Sequence, residues 1–163
     1  MVRTMNDFER CIKERHLIKI KATSEMIEKE ITTAEYDLER SKESMKDEDY
    51  KWASVQAYYA MFHAAKALVL KKGYREKSHY CLSIAVRELY VKDGTMNDEL
   101  ADTLELCMHL RHDADYGLIY DKESVRCRSC GHPSAITDER IPISSSAVRN
   151  IIAIISRSAF PAL

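Results

Sequence analysis

The apolar positions of the chain recur with helical spacing, and the pattern is densest in residues 49–73. Two apolar stripes lie side by side in this stretch, and a helix that is apolar around so much of its circumference must be enclosed by other elements. Small residues also step by three and four along it, which lets a neighbouring helix approach closely. This alanine seam consists of Ala53, Ala57, Ala60, Ala64 and Ala67. We therefore expect residues 49–73 to form the central helix of the fold.

Amphipathic helices are predicted on both sides of the central helix, and each begins at a residue type that caps helices. A short helix is expected over residues 5–20, and a longer one with a single apolar face begins at Thr23 or Ser24. Ser78 opens a third helix, and a fourth starts near Asn97. The short connections between them predict antiparallel neighbours.

The last part of the chain has a different pattern. Gly117 is expected to end the fourth helix, and residues 118–143 form a loop that is long for a compact helical domain. A final helix begins at Ser144; its isoleucines would also suit a strand, but the sequence offers no second strand to pair with it. The predicted fold class is all-α, an antiparallel up-and-down bundle of four to five helices with a long loop before the last helix. We expect one domain of 163 residues, in which residues 1–22 are an N-terminal extension.

Composition narrows the class of protein. Charged residues make up 31% of the chain and hydrophobic ones 45%, as in ordinary soluble proteins, and a count of four glycines and three prolines argues against a sheet rich in tight turns. The net charge of −1 gives no general attraction to nucleic acid or acidic membranes, although a local basic groove is compatible with it. The N-terminus lacks the apolar core of a signal peptide, and no apolar run is long enough to span a bilayer. We therefore expect a cytoplasmic protein without membrane contact, whose five cysteines are thiols or metal ligands rather than disulfides.

Two sequence motifs occur together in the predicted helices. The first is Ala57-Tyr-Tyr-Ala-Met-Phe-His-Ala-Ala-Lys-Ala-Leu68, followed by Lys77-Ser-His79, and the second is Leu110-Arg-His-Asp-Ala-Asp-Tyr-Gly117. In this order and at this separation they resemble the HEPN domain family (higher eukaryotes and prokaryotes nucleotide-binding), in particular its small stand-alone, toxin-like prokaryotic members. The resemblance covers roughly residues 23–117, and the second motif carries most of its weight.

The resemblance implies a fold, a site and a function. It implies a bundle of four or five helices that forms a homodimer, with a cleft at the dimer interface lined by an arginine motif from both subunits. Many members are metal-independent endoribonucleases, and many are toxins paired with a minimal nucleotidyltransferase antitoxin. The family motif is an arginine followed four to six residues later by a histidine. The arginine maps to Arg111, but Tyr116 occupies the histidine position, which is a departure from the family pattern.

Cleavage of RNA without a metal ion needs a cation at the phosphate and groups that transfer protons. Arg111 suits the first role because its guanidinium stays charged and can hold two phosphate oxygens. Tyr116 is a poor general base at neutral pH, because an unperturbed tyrosine titrates at ~10, but it can hydrogen-bond the phosphate or protonate a leaving oxygen. His79 is the first candidate for acid–base catalysis. On a straight helix Arg111 and Tyr116 point about 140° apart, so they converge only if the helix end unwinds or if two subunits form the site.

Other residues are candidates for contacting RNA or a nucleotide beside Arg111: His112, His63 and Tyr59. Each candidate has a structural alternative. Arg111 can form an ion pair with Asp115 one turn later. His63 and His79 can each be a structural histidine whose hydrogen bonds are made within the core. His112 can belong to a polar helix face, and Tyr59 can pack in the core or at a dimer interface.

A second chemical motif, Cys127-Arg-Ser-Cys130-Gly-His132, lies in the predicted loop. Two cysteines at this spacing can present thiolates to one tetrahedral Zn²⁺, with His132 as a third ligand. No second pair at this spacing occurs, so a fourth ligand would be Cys107, Cys81, another histidine or a residue of a second subunit. The alternative is two incidental cysteines in a mobile loop. Zinc at this motif would stabilise the conformation of the loop rather than activate a water molecule. The expected RNA cleavage itself requires no cofactor.

These observations lead to three functional hypotheses. The first is a HEPN-type endoribonuclease, or the toxin component of a toxin–antitoxin pair, which acts as a homodimer with Arg111 at the phosphate. The second is a non-catalytic module that binds a nucleotide, RNA or a nucleotidyltransferase partner through the same cleft, in which Tyr116 could be a tyrosine that the partner modifies. The third is a structural dimerisation bundle in which the motif serves packing.

Overall fold

A computed structural model describes residues 6–116 and 140–157, apart from the side chains of residues 110, 112–116, 140–145 and 156–157. Its elements are α1 (Asp7–Lys13), β1 (Leu17–Lys19), α2 (Ser24–Lys46), α3 (Tyr50–Lys71), β2 (Tyr74–Glu76), α4 (His79–Val86), a π-helical turn that continues α4 (Arg87–Val91), α5 (Asp98–Tyr116) and α6 (Arg140–Arg157). The predicted all-α bundle is confirmed. Among the helices of the described part, none is long and apolar enough to cross a membrane.

The central position of α3 is confirmed by its contacts with α2, α4, α5, α6 and β2. All five residues of the alanine seam are buried. At one end of the seam the hydroxyl of Ser41 on α2 donates a hydrogen bond to the carbonyl of Ala53 at 2.8 Å. Only small side chains allow a neighbouring helix to approach a backbone carbonyl this closely. Trp52 departs from the expected enclosure because 54% of it is exposed.

The predicted helix boundaries around α3 are also observed. The side chains of Thr23, Asp49 and Ser78 each accept a hydrogen bond from the backbone N–H three residues later, and they cap α2, α3 and α4. Gly73 follows α3 with φ of 78°, a left-handed conformation that glycine adopts without steric strain. Local sequence signals therefore set the ends of these helices.

The last helix begins earlier than the sequence predicted. α6 starts at Arg140, so residues 140–143 extend this helix and do not belong to the loop. Pro142 is tolerated because it lies in the first turn, where a backbone N–H has no partner within the helix. The buried amino group of Lys71 donates a hydrogen bond to the carbonyl of Ile155 near the other end. The helical interpretation of this segment is confirmed, since α6 buries one face: Ala147, Val148, Ile151 and Ile155.

The N-terminal extension differs from the single helix predicted over residues 5–20. α1 ends at Lys13, and Arg15 takes a left-handed φ of 60°, which redirects the chain into β1. β1 pairs antiparallel with β2, with Leu17 opposite Glu76. Neither segment was a strand candidate in the sequence, so this small sheet was not predicted. Strands of three residues are too short to show a periodic pattern, and the two segments meet only through tertiary packing.

A disulfide joins α1 to α4 through Cys11 and Cys81, whose Cα atoms are 5.8 Å apart. The expectation that the cysteines are thiols or metal ligands is wrong for this pair, and Cys81 is no longer available as a fourth zinc ligand. A separation of 70 residues carries no local signal for the bond. The packing of α1 on α4 brings the two sulfur atoms together, and it anchors the extension to the bundle.

Charged side chains tie the end of α4 to α5. Arg87, in the π-helical turn, donates from Nε to Glu105 at 2.8 Å and forms ion pairs with Asp102 at 2.5 Å and Asp98 at 3.3 Å. The hydroxyl of Ser83 donates to the same Glu105 carboxylate at 2.6 Å. These contacts hold the two helices in one relative position.

Candidate active site

Arg111 lies on α5, and its guanidinium is placed over a ring of the central helix. The guanidinium carbon is 5.9 Å from the centroid of the Tyr58 ring. A cation at this distance is attracted by the negative face of the ring. The contact orients the guanidinium without removing its charge, which an anion-binding role requires. The pairing with Asp115 considered from the sequence involves a side chain outside the described part of the chain.

Tyr58 links Arg111 to a histidine. Its ring is buried, and its hydroxyl shares a hydrogen bond with Nδ1 of His79. Burial raises the pKa of Tyr58 well above its ordinary value, although the positive charge of Arg111 acts in the opposite direction. The phenol therefore stays neutral across the physiological pH range. The phenol can hold His79 through Nδ1 and leave Nε2 available for proton transfer.

His79 is half-buried and lies flat against a second aromatic ring. Its centroid is 4.4 Å from that of Phe62, and the two rings are inclined by 26°. Burial lowers the pKa of His79, and the positive charges of Arg111 and Lys66 lower it further. The imidazole is therefore neutral at pH 7, which is the form that accepts a proton as a general base.

The backbone before α4 fixes the position of this imidazole. His79 is the first residue of α4, and the Ser78 side chain caps the helix. The preceding strand pairs with β1, and the N–H of Lys77 donates to the carbonyl of His16 at 2.8 Å. The disulfide at Cys81 adds a covalent anchor one half-turn into the helix. The position of His79 is therefore fixed on two sides, by the strand pairing that precedes it and by the disulfide that follows it.

The structure places His63 and Tyr59 at the edge of this cluster. Nδ1 of His63 is 2.6 Å from a carboxylate oxygen of Glu30, and Nε2 is 3.9 Å from Asp37. This geometry fits the alternative of a satisfied structural histidine. Tyr59 is half-buried beside Tyr58, with ring centroids 5.2 Å apart. Because the carboxylates already pair with His63 and Tyr59 packs against Tyr58, both are secondary candidates for ligand binding.

The remaining sequence candidates fall outside what the structure describes. The side chains of Tyr116 and His112 are not described, although both residues lie within α5. The proposed zinc motif also lies outside the described residues: Cys127, Cys130 and His132.

Three residues of the cluster were not assigned to a site from the sequence: Tyr58, Phe62 and Lys66. The ring of Tyr58 is buried and packs in the core. All three lie on α3 at intervals of four residues, so they share one helix face. Lys66 Nζ is 5.5 Å from the Phe62 ring centroid. Their spacing of four residues along α3, inside the first family motif, is a sequence signal that could have pointed to them.

The fold and this cluster define a helical-bundle protein whose central helix joins an arginine and a histidine at one site. The sequence model of the HEPN domain family matches residues 27–156. The chain belongs to this family. The family resemblance carried by the two motifs is thus confirmed, and the match extends through α6.

Two similar proteins come from Methanocaldococcus jannaschii, and both carry the name "Putative toxin". One is 32% identical over 90 residues, which are 55% of this chain and 61% of that protein. The other is 33% identical over 92 residues, which are 56% of this chain and 69% of that protein. The chain thus spans less than two thirds of the first relative.

Proposed function

We propose that the chain is a toxin-like HEPN protein that cleaves RNA as an endoribonuclease without a metal ion. One observation carries the proposal: Tyr58 contacts both a neutral imidazole and a guanidinium. Its ring centroid is 5.8 Å from that of His79 and 5.9 Å from the guanidinium carbon of Arg111. A base beside a cation is what attack of a ribose 2′-hydroxyl on the adjacent phosphate needs. The names of the two relatives support the toxin-like role.

In the proposed reaction each group has one task. Arg111 binds the nonbridging oxygens of the phosphate and stabilises the negative charge that develops on them. His79 donates its Nδ1–H to the Tyr58 oxygen, and its Nε2 accepts the proton of the 2′-hydroxyl. The 2′-oxygen bonds to phosphorus while the bond from phosphorus to the 5′-oxygen breaks, which leaves a 2′,3′-cyclic phosphate. Tyr116 supplies the proton that the leaving 5′-oxygen takes, and water carries the proton of His79 back to Tyr116.

The proposal includes two protein partners. The chain would form a homodimer in which the Arg111 clusters of both copies line one cleft, and a minimal nucleotidyltransferase would act as its antitoxin. Exposed aromatic side chains support protein contacts, because such residues are enriched at interfaces. Tyr36, Trp52 and Tyr80 are 64%, 54% and 50% exposed. Sedimentation of the wild type and of Trp52→Glu tests the dimer, which the variant is expected to weaken.

Cleavage of a mixed RNA substrate in the presence of EDTA tests the reaction. We expect Arg111→Ala and His79→Gln each to reduce the cleavage rate about 100-fold or more, as losses of a charge-stabilising group and of a general base do. Arg149→Ala and His109→Ala are matched controls, because these residues are exposed on α6 and α5. The products should end in a 2′,3′-cyclic phosphate.

Two results would count against this function. Cleavage that EDTA abolishes would contradict the metal-free reaction, and cleavage that survives Arg111→Ala would remove this arginine from the site. A folded wild type that binds RNA but does not cleave it would favour the non-catalytic binding module. Mass spectrometry of Tyr116 after incubation with a nucleotidyltransferase would then test whether the partner modifies it.

A further inference from the structure

A cavity of about 380 Å³ lies between α2, the end of α3 and β2. Its volume is within the range of small-molecule sites. Of the residues around His79, Lys66 also lines this cavity, whereas Tyr58, Phe62 and Arg111 do not. The charged residues of the lining are Lys29, Glu30, Lys66, Arg75 and Glu76. Arg111 and His79, which act in the proposed RNA cleavage, do not line this cavity.

Glu76 is the least exposed charged group of the cavity. Only 8% of its side chain is exposed, and its Oε1 is 3.8 Å from Lys66 Nζ. Its Oε2 is buried and accepts no hydrogen bond from any described residue. Burial is the main reason that the pKa of this carboxyl lies above its ordinary value. A buried acceptor without a donor is unfavourable, so the site favours a ligand that brings one.

The cations of the cavity divide into two groups. Lys66 is already paired, at 2.9 Å, with the carboxylate of Glu30. Lys29 and Arg75 are exposed, and neither forms an ion pair within the described part of the chain. Because the lining holds three cations and two carboxylates, its charge is positive when all are ionised. The cavity therefore favours a ligand with an anionic group at the exposed end and neutral donors at the buried end.

We propose that this cavity binds a pentose phosphate group, with its hydroxyls donating to Glu76 and its phosphate held by Lys29 and Arg75. Hydroxyls are neutral donors, and a carboxylate is the usual partner of ribose hydroxyls in nucleotide sites. A ligand with an ammonium group could also donate to Glu76, but the three neighbouring cations of the lining would repel its charge. Met26 and Leu70 supply apolar lining for the carbon face of the sugar. The group can belong to a free sugar phosphate or to a nucleotide.

Titration of the ¹⁵N-labelled full chain with ribose 5-phosphate and with AMP tests the site by NMR. Ribose and inorganic phosphate are titrated separately for comparison, because each carries only one part of the proposed ligand. We expect saturable shifts of the Arg75 and Glu76 amides with ribose 5-phosphate, with AMP or with both. The Lys29→Ala/Arg75→Ala double variant should weaken binding about tenfold or more, since two charge-assisted contacts are lost. Glu76→Met keeps the side-chain length and removes the acceptor, and it should have an effect of similar size.

Two controls separate this site from others. Lys13→Ala removes an exposed cation of α1, and Arg111→Ala removes the cation of the proposed cleavage site; neither should change the affinity. Tighter binding of AMP identifies a nucleotide as the source of the group, and tighter binding of ribose 5-phosphate identifies a free sugar phosphate. No saturable binding of either, undiminished binding by the double variant, or equally tight binding of inorganic phosphate would overturn the proposal. Because the double variant changes only exposed residues, the test does not depend on whether Glu76→Met folds.

Discussion

Tyr58 on the central helix and His79 at the start of α4 share a hydrogen bond between the phenol oxygen and Nδ1. If this contact orients the proposed base, Tyr58→Phe should lower the RNA cleavage rate about tenfold, the effect of losing one hydrogen bond of ~1.4 kcal/mol. The phenylalanine ring keeps the contact with Arg111. The rate should be measured across the pH range, because a change in the acid limb of the profile identifies an effect on the histidine.

Tyr36→Phe is the matched control for this change, since the Tyr36 side chain is exposed on α2. It should leave the pH–rate profile unchanged. A Tyr58→Phe variant that loses stability but keeps the wild-type profile would show that the hydroxyl only supports the fold.

The titration of His79 gives a second prediction. Burial, and then the charges of Arg111 and Lys66, hold its pKa below the ordinary value of 6.5. Arg111→Met should therefore raise the pKa of His79 without restoring it fully, because burial is the larger cause. NMR of the imidazole resonances measures this shift directly, and Arg149→Met is the control. A fall in the pKa of His79 in Arg111→Met would contradict the proximity of the two residues.

The same titration affects stability. The folded protein disfavours the charged imidazole, so protons bind the unfolded chain more readily. The contribution of His79 to the free energy of unfolding should therefore fall as the pH drops below 6.5. Denaturant unfolding at several pH values measures this effect. The free energy of unfolding of the wild type should fall relative to that of His79→Gln as the pH drops below 6.5.

Glu76→Gln should stabilise the protein at neutral pH by about 1 kcal/mol, the scale of a buried polar group that lacks a partner. The pKa of Glu76 is raised in the folded state, so its unfavourable effect is complete only above that folded-state pKa. It disappears as the pH falls below the ordinary value of 4.5. Denaturant midpoints should thus differ at pH 7 and converge near pH 4. A variant that is less stable than the wild type at pH 7 would show that the Lys66 ion pair outweighs burial.

The Cys11–Cys81 disulfide should stabilise the fold. It closes a loop with a sequence separation of 70, and such a bond typically contributes about 2–4 kcal/mol, largely by restricting the unfolded chain. A reducing agent should therefore lower the denaturant midpoint of the wild type. The Cys11→Ala/Cys81→Ala double variant should start at the lower midpoint and respond little to the reductant. A wild-type midpoint that is insensitive to complete reduction would contradict this contribution.

Arg87→Met should loosen the contact between α4 and α5. Arg87 pairs with three carboxylates, and its side chain is 30% exposed, so we expect a loss of roughly 1 kcal/mol. High salt should reduce the difference from the wild type, because it screens partly exposed ion pairs. Arg149→Met, on the exposed face of α6, is the control in unfolding experiments at low and high salt. A difference that grows with salt would argue against an electrostatic origin.

The sequence by itself determined the helical bundle, because the information for a helix is local. Apolar spacing and the alanine seam identified α3, and the capping residues Thr23 and Ser78 marked where α2 and α4 begin. The motif around Arg111 also indicated the family, which the match over residues 27–156 confirms. Each of these signals spans a few turns of one helix.

Tertiary structure decided the features that join distant segments. The three-residue strands, the disulfide of Cys11 with Cys81 and the cavity around Glu76 leave no periodic trace in the sequence. The contact of Tyr58 with Arg111 likewise depends on how α5 packs on α3. The physical reason is that these contacts form only after the apolar faces of the helices are buried against one another, and their register sets which polar groups meet.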